Sequence, residues 1–194
     1  MNDRIVSFRA MKDGTREDYR LLEELEKPYI AGLADRVLAA LASLERSLEG
    51  YPVSRRTHSL QTASRALADG ADEELVVAAL LHDVGDELAP YNHAALAAAI
   101  LRPYVRAEVS WIVEQHGLFQ TYYYAHHLDG DRFAREKLKD HPWYQACASF
   151  CERWDQASFD PDYPTRPLEV FEPMVRRIFS RSAWDPRYTR AAAD

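Results

Sequence analysis

The chain has 194 residues, 47% of them hydrophobic and 28% charged, with a formal net charge of −7. That length suits one domain with a sizeable core, and an acidic balance without a basic block or arginine-rich stripe argues against nucleic-acid binding. The longest apolar runs, residues 75–81 and 94–101, fall short of the roughly 18–20 residues that span a bilayer.

The first residues, MNDRIVSFRAMKDG, show neither an apolar core segment nor a small-residue cleavage site, so no signal peptide is expected there. Thr15-Arg-Glu-Asp18 resembles a capping box that opens a short charged helix to about Glu26. Pro28 is placed to begin the next helix. Tyr29, Leu33, Val37, Leu41, Leu44 and Leu48 recur at three- and four-residue spacing, predicting a long amphipathic helix closed by Gly50. Residues 1–50 thus read as packing helices.

Ser54 is a helix cap for residues 55–68, which carry His58, and Gly70 stops that helix. Asp72 caps a central helix, residues 73–86, in which seven apolar residues run directly into His82-Asp83. Pro90 forces a break, Asn92 caps residues 94–101 with His93 in the first turn, and Pro103 breaks the chain again. Residues 107–115 lead to His116-Gly117 and then to the aromatic segment LFQTYYYAHH. A charged stretch, residues 129–140, precedes a helix begun by Pro142 that carries Trp143, Cys147, Phe150, Cys151, Trp154 and Asp155. The two cysteines sit four apart on one helix face, where a disulfide would be strained, so buried reduced thiols and a cytoplasmic location are expected. Residues 161–167 form a proline-rich loop, residues 168–180 a last helix, and residues 191–193 a frayed tail. With no strand-like alternation, hairpin turn or internal repeat, the predicted fold is all-α.

Burying His82 beside Asp83 at the end of an apolar helix is costly unless something satisfies both groups. A core histidine bonded to its neighbour would do so, and so would a cation held by the imidazole and bridged by the carboxylate. His58, His82-Asp83, His93, His116 and Asp155 fall on separate elements beside apolar residues that would turn them inward. Four histidines and two aspartates match in number two metals that share a bridging carboxylate.

The order His58, His82-Asp83 and distant Asp155 resembles the H…HD…D pattern of the HD-domain superfamily of metal-dependent enzymes, over residues 54–160. That resemblance implies a helical bundle with a metal site at its centre. The segments His116-Gly-Leu-Phe-Gln-Thr-Tyr-Tyr-Tyr and Phe150-Cys-Glu-Arg-Trp-Asp-Gln are similar to myo-inositol oxygenase. The histidine spacings also resemble the small oxygenase that cleaves a hydroxy-phosphonate. By resemblance, His58, His82, Asp83 and Asp155 hold one metal, and Asp83, His93 and His116 hold the other. The implied cofactor is an Fe(II)/Fe(III) pair with dioxygen as co-substrate, cleaving a C–C or C–P bond of a small hydroxylated molecule. Asp86 and Gln120 stand where these relatives carry substrate-contacting lysines, which leaves the charge of the substrate open.

Gln120, Tyr123, Tyr124, His126 and Asp86 are the candidate substrate contacts, although the tyrosines equally suit packing and His126-His127 a polar loop. His141 reads as a surface cap. Arg132, Arg135, Lys137 and Lys139 read either as anion-binding groups or as a solvated charged helix. The alternative activity is an HD phosphohydrolase acting on a phosphate ester through a metal-bound hydroxide. It needs cations to receive phosphate, where the residues after His82-Asp83 offer Asp86 and Glu87. A non-enzymatic signalling or scaffold module is a third reading, and such relatives tend to lose ligands. The expected partners are a small-molecule substrate and, at most, further copies of the chain in a small homo-oligomer.

Overall fold

A computed structural model describes residues 4–189; the tail expected at residues 191–193 lies outside the described residues. All regular structure among the described residues is helical, and no described helix is long and apolar enough to cross a membrane.

At the centre lies α4, Glu73–Leu81, capped by Asp72 through a 3.0 Å bond from the Leu75 amide. Residues 76 to 81 are buried all round the helix, as expected of an element enclosed on every side. Helix α3, Arg55–Ala68, packs along α4 and is capped by Ser54. Helices α5, His93–Leu101, and α6, Ala107–Tyr124, form a second packed pair whose longer member also reaches α4. Two N-terminal helices, α1 (Arg16–Ala31) and α2 (Leu33–Ser43), and the late α8 (Leu168–Phe179) complete the shell, with α8 resting on α4 and α2. Helix α7, Tyr144–Phe150, packs on α6, while α9, Pro186–Thr189, is a short turn that the sequence did not suggest.

Several boundaries differ from expectation, each for a local reason. The Thr15–Asp18 capping box is present, but α1 runs through Pro28 and breaks at Gly32. Proline's fixed φ is already helical, and so near the end of the helix it leaves the break to glycine. The expected long second helix is therefore α2 followed by a 3-10 turn, Leu44–Arg46; Val37, Leu41 and Leu44 are buried, whereas Tyr29 and Leu48 are exposed. Helix α4 stops at Leu81, and residues 82–88 form consecutive turns. Asn92 makes no side-chain cap, and α5 begins at His93 itself. Helix α6 does not end at Gln115; it carries Gly117 in its interior and continues to Tyr124.

After Phe150 the chain widens into one turn of π-helix, Cys151–Asp155, closed by a 3.0 Å bond from the Gln156 amide to the Cys151 carbonyl. The extra residue in that turn brings both Trp154 and Asp155 into the interior. The Trp154 indole donates to Asp69 at 2.6 Å and ties the turn to the end of α3. Cys147 and Cys151 are buried and free, as expected.

Gly85 lets the turn after α4 lie directly on α5. A Cβ built there would sit 2.8 Å from the His93 carbonyl oxygen and 3.0 Å from the Leu96 Cβ. Gly85→Ala should therefore push the turn away from α5 and cost about 1–3 kcal/mol. Thermal denaturation checks this, and an unchanged midpoint would show that the turn does not depend on the close approach.

Candidate metal centre

The histidines converge because backbone carbonyls fix them. His58 Nδ1 lies 2.9 Å from the Ser158 carbonyl, His82 Nδ1 2.8 Å from Ala79, and His116 Nδ1 2.6 Å from Val113. A carbonyl only accepts, so each Nδ1 donates and each neutral ring presents the lone pair of Nε2. The lone pairs of His58 and His82 point at each other, their Nε2 atoms 3.1 Å apart, and that of His116 faces His93 Nε2 at 3.4 Å.

Two carboxylates stand among them. Asp155 Oδ1 lies 3.2 Å from His58 Nε2 and 3.5 Å from His82 Nε2. Asp83 divides its oxygens: Oδ2 is 3.6 Å from both of those nitrogens, while Oδ1 is 3.3 Å from His93 Nε2 and 3.4 Å from His116 Nε2. Ligand atoms of His58, His82 and Asp155 fall within 4.8 Å of one another, and so do those of His82, Asp83 and His116, so His82 adjoins both halves. All six residues were singled out in the sequence, and five of them are buried; His93 is partly exposed.

Burial alone would raise the Asp83 and Asp155 carboxyls. The surrounding imidazoles, His82 foremost, outweigh that cost and hold both below the usual carboxylate range. Both are ionised at neutral pH. Burial likewise opposes a charge on His58, yet Asp155 and Asp83 raise its pKa; a bond to Asp83 is the main cause that raises His93. Asp155 Oδ2 is buried without a hydrogen-bond partner. Facing lone pairs, paired carboxylates and an orphaned oxygen in a dry interior fit the coordination of cations.

The cluster forms the floor of a cavity of about 350 Å³. Helix α6 supplies one wall, with His116, Gly117, Gln120, Tyr123 and Tyr124 on successive turns of one face. A Cβ on Gly117 would meet nothing within 4 Å, so glycine leaves that wall open. The opposite wall holds Tyr51, Arg55, Gln156 and Phe159, none of which the sequence reading had picked out. Phe159 stacks on the His58 ring at 4.3 Å and on Tyr51 at 5.0 Å. Arg55 was legible in principle, since it lies one helical turn before His58; its Nη1 is 3.1 Å from Asp83 Oδ2 and its Nε 3.5 Å from Asp86 Oδ2.

Of the five expected substrate contacts, Gln120, Tyr123 and Tyr124 line the cavity; Asp86 and His126 are not among its lining residues. Asp86 faces Arg55, and His126 is exposed against His127 in a 3-10 turn, Ala125–Leu128, beyond the end of α6. His141 caps the chain before α7, its Nδ1 accepting from the Trp143 amide at 3.3 Å, and its ring also stacks on Trp111 at 4.0 Å. Arg132 and Arg135 lie over the Tyr122 ring at 4.5 and 3.9 Å and do not enter the cavity.

Comparison with protein families matches residues 55–177, more than half of the chain, to the HD domain. No curated protein matches the chain.

Because Asp83 faces both pairs of histidines, Asp83→Ala should abolish metal binding. Saturating metal at about 100 times its dissociation constant should stabilise the wild type by about 2.7 kcal/mol, a rise in Tm of about 5–10 °C, and leave the variant unmoved. Equal stabilisation of both proteins would remove Asp83 from the site.

Proposed function

The chain belongs to the HD-domain family, and we propose that it is a dinuclear-metal enzyme, an oxygenase that cleaves a C–C or C–P bond of a small hydroxylated substrate. The observation that carries this reading is the cavity wall above the His/Asp cluster, which is neutral and aromatic. Apart from the cluster, its lining is Tyr51, Gln120, Tyr123, Tyr124, Gln156, Phe159, Gly117 and one cation, Arg55. That cation already faces two carboxylates.

His58, His82, Asp155 and Asp83 Oδ2 would hold one iron, and His93, His116 and Asp83 Oδ1 the other. An Fe(II)/Fe(III) pair supplies, when bound, the one-electron chemistry with dioxygen that no side chain here provides. The protein's own part is placement and shelter. Gln120, Gln156 and the tyrosine hydroxyls of the walls are positioned to bond substrate hydroxyls, and their neutrality suits a polar molecule whose charge need not be matched. Phe159 and Tyr51, stacked over His58, keep water from that flank of the cluster. The carbonyls of Ser158, Ala79 and Val113 hold the imidazoles in one tautomer, so the ligand set does not reorganise between steps.

Phosphate-ester hydrolysis is the second reading, and Arg55 is the observation in its favour. Against it, accepting a phosphate would require that guanidinium to leave Asp83 or Asp86.

The test is low-temperature EPR of iron-loaded, partly reduced protein together with dioxygen uptake on a panel of small polyols and hydroxy-phosphonates. The proposal predicts an antiferromagnetically coupled Fe(II)/Fe(III) signal and uptake with at least one hydroxylated compound. Manganese- or nickel-dependent release of phosphate from esters, without uptake, would replace it with the hydrolase.

A further inference from the structure

One histidine of the cluster is held differently from the rest. His58, His82 and His116 each donate Nδ1 to a backbone carbonyl within 3 Å. His93 Nδ1 is buried with no hydrogen-bond partner. The Pro90 carbonyl approaches the ring, and Asp86 Oδ1 lies 3.9 Å from Nδ1. His93 is also the one histidine of the four with an appreciably exposed side chain, 22%, and it stands at the first residue of α5, where the backbone holds it least.

Asp86 is itself fixed. It follows Asp83 in the turn after α4, with its amide bonded to the Asp83 carbonyl at 2.9 Å, and its side chain is only 11% exposed. A carboxylate so enclosed and so near Asp83 needs a cation between them, and Arg55 provides it, reaching Asp83 with Nη1 and Asp86 with Nε. A closed ring results: Arg55 touches Asp83 and Asp86, and these two carboxylates face Nε2 and Nδ1 of His93 respectively.

We propose that Asp86, held by Arg55, is the positioning residue for His93, and that this pair sets the affinity of the His93–His116 half of the centre independently of the His58–His82–Asp155 half. From 3.9 Å the charge of the Asp86 carboxylate favours the tautomer with the proton on Nδ1 and the lone pair on Nε2, and it draws the partly exposed ring inward. The other half needs no such aid, because carbonyls already hold its two rings. Asp86 thus acts on a metal ligand, not on substrate. The inference rests on the dinuclear reading of the cluster.

The test is a titration of metal-free full-length protein with cobalt(II), followed by calorimetry and by the visible ligand-field bands. The wild type should take up two ions. In Asp86→Ala and Asp86→Asn the second ion should bind about 10–100-fold more weakly, with the first unchanged. Arg55→Gln should weaken the second ion in the same sense, and Arg55→Lys should restore part of the loss. Thermal midpoints of the metal-free proteins confirm that each variant folds. A second ion bound within about twofold of the wild type in Asp86→Ala would overturn the inference and assign His93 to the Pro90 carbonyl alone. Equal weakening of both ions would also overturn it, since Asp86 would then support the centre as a whole. A wild type that takes up only one ion or none would overturn the dinuclear reading itself.

Discussion

Imidazole nitrogens held 3.1 Å apart in a dry helical core, each with its lone pair facing the other, repel unless a cation lies between them. The fold is arranged around making that placement inescapable. Carbonyls of Ala79, Val113 and Ser158 fix the outer nitrogens, so the inner ones cannot become donors without a charged ring. Helix α4 is buried on every side and ends one residue before His82, which puts the His-Asp pair in the turns that follow, near the middle of the bundle. The π-turn adds Asp155 from the opposite side, and the same short stretch returns the Ser158 carbonyl that orients His58. Helices α3, α5 and α6, the turn after α4 and the π-turn thus bring the cluster and its orienting groups to one point.

Asp83 gives the centre its two-part character. One carboxylate oxygen faces one pair of histidines and the other oxygen the second pair, so any ion in one half is coupled through a single side chain to an ion in the other. The halves are not equivalent: the first has Asp155 and two firmly held rings, while the second has no carboxylate of its own and a more exposed His93. The cavity opens above both, with a neutral polar and aromatic wall.

The buried His/Asp cluster was legible in the sequence because burying ionisable groups beside apolar runs is costly, which makes His82-Asp83, His58, His116 and Asp155 conspicuous. The all-helical fold was legible from three- and four-residue spacing and from caps such as Thr15, Ser54 and Asp72. What surrounds the ligands was less so. The helix expected over residues 107–115 runs on to Tyr124, since one glycine, Gly117, costs a helix only about 1 kcal/mol and the buried Phe119 beyond it sustains α6. Once α6 is continuous, His116, Gln120, Tyr123 and Tyr124 fall on one face, while His126 passes into the next turn and out of the site. Tyr51 and Phe159 were missed because their places depend on tertiary packing: Phe159 meets His58 across about a hundred residues of chain, a contact that no local pattern encodes. The role of Asp86 was misjudged for the same reason, since only the fold reveals that Arg55 reaches it.

The central claim is that Asp83 bridges two ions, and diffraction from crystals of iron-loaded protein at the iron absorption edge tests it most directly. Two anomalous peaks about 3.5–4 Å apart, one beside each oxygen of Asp83, are the predicted result. A single peak shared by all four histidines, or none, would contradict it.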